Sequence, residues 1–135
     1  MLEGFKVLLV EDGPDNQTLI MHHLQRAGAI VDIAENGKVC LDMLTESSVY
    51  DLVLMDMQMP VLDGYETTKQ IRARGLTLPI IALTAHAMTS DQEKCIAVGC
   101  DEYHAKPIKK AQLIELCQEL INQRRHGGDQ DPIAA

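Results

Sequence analysis

A parallel sheet covered on both faces by helices is what this sequence predicts: an α/β domain in three layers, built from five strand–helix repeats. Three observations predict it. Five short apolar runs recur along the 135 residues. Each is followed by a stretch whose apolar side chains have helical spacing, and the connections between them are short. Right-handed crossovers then leave few topologies open.

The first run, residues 5–10 (FKVLLV), is almost continuously apolar, as a strand buried on both sides must be. The third, residues 50–55 (YDLVLM), and the fourth, residues 78–83 (LPIIAL), share that character. The second, residues 29–34 (AIVDIA), alternates, with Val31 and Ile33 flanking Asp32, and the fifth, residues 102–105 (EYHA), is the most polar. Those two suit the edges of the sheet and the other three its centre.

Helix boundaries are signposted. Pro14 suits a first helical position and Gly28 a stop. Between them Ile20, Leu24 and Ala27 share one face, which turns His22 and His23 largely toward water. Asp63 with Glu66, and Ser90 with Glu93, have capping-box spacing. The last helix is predicted over roughly residues 109–122, with Leu113, Leu116 and Leu120 on one stripe. From residue 126 the chain reads HGGDQDPIAA. The predicted organisation is therefore one domain, residues 1–125, with a flexible tail, residues 126–135.

Composition limits the function. With 12 Lys+Arg against 20 Asp+Glu, the formal charge is −8. Nucleic acid would require a cationic surface that displaces counterions, and four rings (Phe5, Tyr50, Tyr65, Tyr103) make no stacking platform. No apolar run approaches the ~18 residues of a membrane span, so direct membrane contact is not expected. Glu3 stands where a signal peptide needs basic residues, and a cytoplasmic location is expected. Cys40, Cys95, Cys100 and Cys117 lack the spacings of metal sites and read as reduced, mostly buried thiols.

The polar residues just past each strand carry the chemistry. Glu11 and Asp12 follow the first strand, Asp56 the third, Thr84 the fourth and Lys106-Pro107 the fifth. In an open parallel sheet these ends share one edge, and ligands bind there at the switch in strand order. Taken singly, each has an ordinary explanation: Glu11 and Asp12 as helix-capping acids, Asp56 as a loop acid, Lys106 as a surface lysine. Together they are hard to obtain by accident. Two like charges ~4 Å apart repel by ~4 kcal/mol at an effective dielectric of ~20, so three acids in one pocket call for a cation. All-oxygen donors suit Mg²⁺, with Mn²⁺ as an alternative. Three carboxylates and one ammonium sum to −3 + 1 = −2, so a divalent ion brings the site near neutrality. Asp56 can then serve as nucleophile toward a phosphoryl group that Lys106 and the metal offset. Met55, Met57 and Met59 are packing residues on this account, and the His22-His23 pair lacks the helical bundle of a phosphodonor.

The stretches VLLVEDGPDNQ, DLVLMDMQMPVLDGYE, PIIALTA and YHAKPI, in this order and spacing, closely resemble the receiver domain of two-component response regulators over about residues 4–122. The resemblance implies a flavodoxin-like doubly wound fold with strand order 2-1-3-4-5. It also implies that Asp56 is the phosphoacceptor, charged from the phosphohistidine of a histidine kinase or histidine phosphotransfer protein, with output through a downstream protein partner. Asp12 would bind the metal directly, Glu11 mostly through water, and Gln58 through its main-chain carbonyl. Thr84 would be the switch hydroxyl, Lys106 its salt-bridging companion before a cis proline, and Tyr103 the switch aromatic. Gln58 and His86, two residues past Asp56 and Thr84, are placed to tune the phosphoryl lifetime. The flanks MDMQMPVLDG and ALTAHAM look most like receivers attached to hybrid histidine kinases, although a stand-alone regulator fits almost as well.

Three rivals remain. An aspartyl-nucleophile phosphatase often has a second acid where Gln58 stands. A flavodoxin-type flavin carrier would need a phosphate-accepting first loop, which EDGPD opposes. A docking-only receiver is opposed by the intact set of five residues.

Overall fold

The computed structural model describes residues 1–44, 49–85 and 88–134, with side chains described through Gln123. Five strands, β1 (Lys6–Val10), β2 (Ile30–Ala34), β3 (Leu52–Asp56), β4 (Ile80–Thr84) and β5 (Glu102–Ala105), alternate with five helices. These are α1 (Pro14–Arg26), α2 (Gly37–Met43), α3 (Gly64–Ala73), α4 (Thr89–Val98) and α5 (Lys110–Ala134). All strand pairs are parallel, in the order β2-β1-β3-β4-β5. The alternating run and the polar run are the two edges, as predicted.

Side-chain alternation along the central strands divides the core in two. Val7, Leu9, Leu52, Leu54, Ile81 and Leu83 point to one face, where they meet Ile20 and Leu24 of α1 and Leu113 and Cys117 of α5. Leu8, Val10, Val53, Met55, Ile80 and Ala82 point to the other, against Cys40 of α2, Ile71 of α3 and Cys95 of α4. All four cysteines are free and buried. Met55, Met57 and Met59 lie in the second cluster as packing side chains.

Pro14 opens α1, and Gly28 follows its C-cap at φ 100°, a conformation that costs glycine little. Asp63 caps α3, its Oδ1 accepting from the Glu66 N–H at 2.8 Å. Three expectations need correction. The Ser90–Glu93 box does not form: α4 begins at Thr89 behind an N-cap Met88 with no side-chain cap, so Ser90 is already inside the helix. His23 is half-buried rather than turned to water, because α5 packs beside α1 and widens the covered stripe. Its Nδ1 is buried with no hydrogen-bond partner among the described residues. Finally, α5 runs Lys110–Ala134, past residue 122 where its end was expected. Elongating an existing helix adds a hydrogen bond per residue without a new nucleus, so polar composition is a weak stop signal.

Candidate active site

Parallel register brings the chemistry to one edge. β1 ends level with β3 (Val10 opposite Met55), Asp56 lies opposite Leu83, and Thr84 opposite Ala105. The residues that leave each strand therefore enter a common crevice beside the β1–β3 junction, where the chain order reverses.

Glu11 and Asp56 are both 1% exposed, whereas Asp12 is exposed. The three offer carboxylate oxygens all within 4.8 Å of one another. Lys106 Nζ stands 3.3 Å from Glu11 Oε1 and 3.4 Å from Asp56 Oδ2, bridging the two buried acids. The Lys106-Pro107 bond is cis, and the Lys106 N–H donates to the Thr84 carbonyl at 2.7 Å. Thr84 is fully buried.

Gln58 connects the loops. Its main-chain N–H donates to Asp56 Oδ1 (3.1 Å), its Oε1 accepts from the Ala85 N–H (3.0 Å), and its Nε2 reaches Thr84 Oγ1 (3.5 Å). The loop after β3 is thereby fastened to the loop after β4.

Electrostatic strain is visible in the acids themselves. Burial pushes the Asp56 carboxyl up to about 7, reinforced by its hydrogen bond with Glu11 and by the Glu11 charge. For Glu11, burial also pushes upward, but the hydrogen bonds from Asp56 and the Gly13 N–H, with Lys106, outweigh it and hold this acid below its usual range. The two buried carboxyls are thus pushed apart, Glu11 down and Asp56 up, with Lys106 offsetting only part of their charge. A hard donor set of three carboxylates with no sulfur or imidazole fits a small divalent cation, and such a charge would relieve the repulsion.

Each predicted residue can now be placed. Glu11, Asp12, Asp56, Gln58, Thr84 and Lys106 converge. Tyr103 does not join them: it lies half-buried on β5, packed against the α2–α4 side of the core. His86 lies outside the described residues. Two supports escaped sequence reasoning. Gly13 donates its N–H to Glu11 Oε2 at 3.1 Å. Gly64 lets α3 start against the site, since a Cβ there would lie 2.6 Å from the Asp56 carbonyl oxygen. The Asp63-Gly64 pair was a signal for the second.

The family model for the response regulator receiver domain matches residues 7–118, and the chain belongs to that family. The rice two-component response regulator ORR41 (Oryza sativa subsp. japonica) is 42% identical over 111 residues, covering 80% of this chain and 87% of its own. Hybrid signal transduction histidine kinase I of Dictyostelium discoideum is 45% identical over 124 residues. There the match covers 86% of this chain but only 7% of the kinase. Among solved structures, the receiver domain of sensor histidine kinase PA1611 from Pseudomonas aeruginosa is 44% identical, with a TM-score of 0.80. It covers 88% of this chain and 98% of its own, and holds a magnesium ion in its active-site cleft. The receiver domain of Saccharomyces cerevisiae Ssk1, solved with the histidine phosphotransfer protein Ypd1, is 30% identical with a TM-score of 0.82. That alignment covers 89% of this chain and 90% of the other. The receiver fold and a role in two-component phosphorelay follow from this membership.

Proposed function

We propose that Asp56 is the phosphoacceptor of this receiver, loaded from a phosphohistidine on a histidine kinase or histidine phosphotransfer protein. The observation that carries the reading is the position of Asp56, buried at the end of β3, beside Glu11 and 3.4 Å from Lys106. A divalent cation, Mg²⁺ or Mn²⁺, held by Asp12, Asp56, the Gln58 carbonyl and, through water, Glu11, supplies the positive charge that the acids otherwise lack.

An Asp56 carboxylate oxygen attacks phosphorus. A P–O bond forms while the donor's P–N bond breaks, its electron pair staying on the imidazole nitrogen. Lys106 is within ion-pair distance of Asp56 Oδ2 and turns to a phosphoryl oxygen as the acyl phosphate forms. The Thr84 hydroxyl donates to another phosphoryl oxygen, and Tyr103 changes its exposure in response. Gln58, already tied to Asp56 and Thr84, governs water access and so the lifetime, a role that His86, two residues past Thr84 in sequence, shares.

Incubation with acetyl phosphate and Mg²⁺ should add one phosphoryl mass. Asp56→Asn and, separately, a chelator should each abolish the gain; labelling that survives either would overturn the assignment.

The identities with kinase receivers favour a hybrid sensor histidine kinase as the parent, acting in the cytoplasm. The coverage of ORR41 favours a stand-alone regulator instead. The length of the native polypeptide, measured by mass spectrometry, separates them.

A further inference from the structure

The main chain of Glu11 lies between two regular elements. Its N–H still donates to the Ala34 carbonyl of the neighbouring strand, at 3.1 Å. Its carbonyl has passed the end of β1, and α1 opens on Pro14, which has no N–H to offer. Gln17, one turn into α1, meets that acceptor: its side-chain Nε2 donates to the Glu11 carbonyl at 2.6 Å. The amide must face this way, because its Oε1 turned inward would set two acceptors against each other.

The peptide held by Gln17 is the one that joins two of the acids. The Glu11 carbonyl and the Asp12 nitrogen share a single plane, so fixing the carbonyl sets the direction in which the chain reaches Asp12. The Glu11 side chain is held independently, Oε2 by the Gly13 N–H at 3.1 Å and Oε1 by Lys106 at 3.3 Å. Asp12 has no such support. It is exposed, and among the described residues its carboxylate has neither a hydrogen bond nor an ion pair. Yet its oxygen stays within 4.8 Å of those of Glu11 and Asp56. What places it is its own main chain.

We propose that Gln17 is a positioning residue for the divalent cation: by holding the Glu11–Asp12 peptide, it keeps the Asp12 carboxylate where the ion needs it. Gln17 itself touches neither the ion nor the phosphoryl group. A donor held within about 0.5 Å of its working position binds without first being reordered. Removing an outer partner of a metal ligand typically costs roughly 10–100-fold in affinity. The inference rests on the reading above that Asp12 binds the ion, and it adds a residue outside the acidic set that decides how tightly.

The test is a Mg²⁺ titration of the ¹⁵N-labelled full chain, followed by amide chemical shifts, with urea midpoints measured in chelator. Gln17→Leu keeps the net charge and a strong helix former while losing the donor. Gln25→Leu makes the same change at an exposed position of the same helix. Gln17→Leu should raise the Mg²⁺ dissociation constant about tenfold and move the Asp12 amide resonance of the metal-free chain. Its urea midpoint should equal that of Gln25→Leu, which should bind Mg²⁺ as the parent does. An unchanged dissociation constant in Gln17→Leu, or an equal rise in Gln25→Leu, overturns the proposal. A urea midpoint for Gln17→Leu far below that of Gln25→Leu overturns it in favour of a role in folding. Asp12→Ala keeps the two readings apart. If it abolishes Mg²⁺ binding while Gln17→Leu binds as the parent does, this inference falls alone. If Asp12→Ala binds undiminished, the metal assignment falls and this inference with it.

Discussion

Val61 is 78% exposed yet adopts a φ of 74°, a region that β-branched side chains avoid. The Leu62 N–H reaches the Pro60 carbonyl across it at 2.9 Å, closing a three-residue turn beneath the loop that carries Gln58. Such a conformation costs of order 1–3 kcal/mol, more than the ~0.5–1 kcal/mol that glycine's extra freedom removes. Val61→Gly should therefore raise stability by about 1 kcal/mol, read as a higher denaturant midpoint at unchanged slope. A second residue-scale expectation concerns His104. It is 5% exposed, accepts the Lys109 N–H, and burial followed by the Lys109 charge lowers its pKa below the usual histidine value. The unfolded chain then binds a proton at ~6.5 that the folded one resists. The contribution of His104 is present above that pH and declines as pH falls toward the folded value. Urea midpoints between pH 7.5 and 5.5 should drop more for the parent than for His104→Gln, which retains an acceptor. Val61 could not be suspected from sequence, because φ is a property of the closed turn. His104 was legible only as part of a polar strand.

At the scale of elements, α3 and α4 differ in how they begin. The Asp63 cap on α3 should be worth about 1 kcal/mol against alanine. α4 has no side-chain cap at Met88, and replacing Met88 with serine should return a similar gain, measurable as a shift in thermal midpoint. α4 is held to α3 largely through side chains, with Lys94 Nζ 4.1 Å from the Tyr65 ring centroid. Without a side-chain cap, the first turn of α4 is the readier of the two to open locally. The contrast also explains which boundaries were readable. Asp63, Pro14 and Gly28 act on their own backbone, so spacing reveals them. Ser90 has the right neighbours but the wrong register, by two residues. The end of α5 and the covering of His23 depend on propagation and on a neighbouring helix, and neither is written in local composition.

For the whole molecule, five strands in parallel register turn distant sequence positions into neighbours, which is why the convergence of the candidate residues was legible in the sequence. Glu11, Asp12, Asp56, Thr84 and Lys106 each leave the carboxyl end of a strand, and strand order alone brings those ends together. Supports that cross elements, such as the Ala85 N–H donating to Gln58 Oε1, need packing that no single stretch encodes. The same convergence leaves the fold with a weak point that a cation removes. Burying Glu11 and Asp56 beside one lysine, in a chain of formal charge −8, opposes folding. An ion that binds only the folded chain stabilises by RT ln(1 + [L]/Kd), about 2.7 kcal/mol at one hundred times Kd. Mg²⁺ should therefore raise the thermal midpoint in a saturable way, and NaCl at matched ionic strength should raise it far less, since screening acts on exposed charges. Asp12→Ala, which removes an exposed carboxylate of the cluster, should abolish the Mg²⁺-specific part while leaving the NaCl response. Equal midpoints in the two salts, or an undiminished Mg²⁺ shift in Asp12→Ala, would show that the acids at the sheet edge are not where the ion acts.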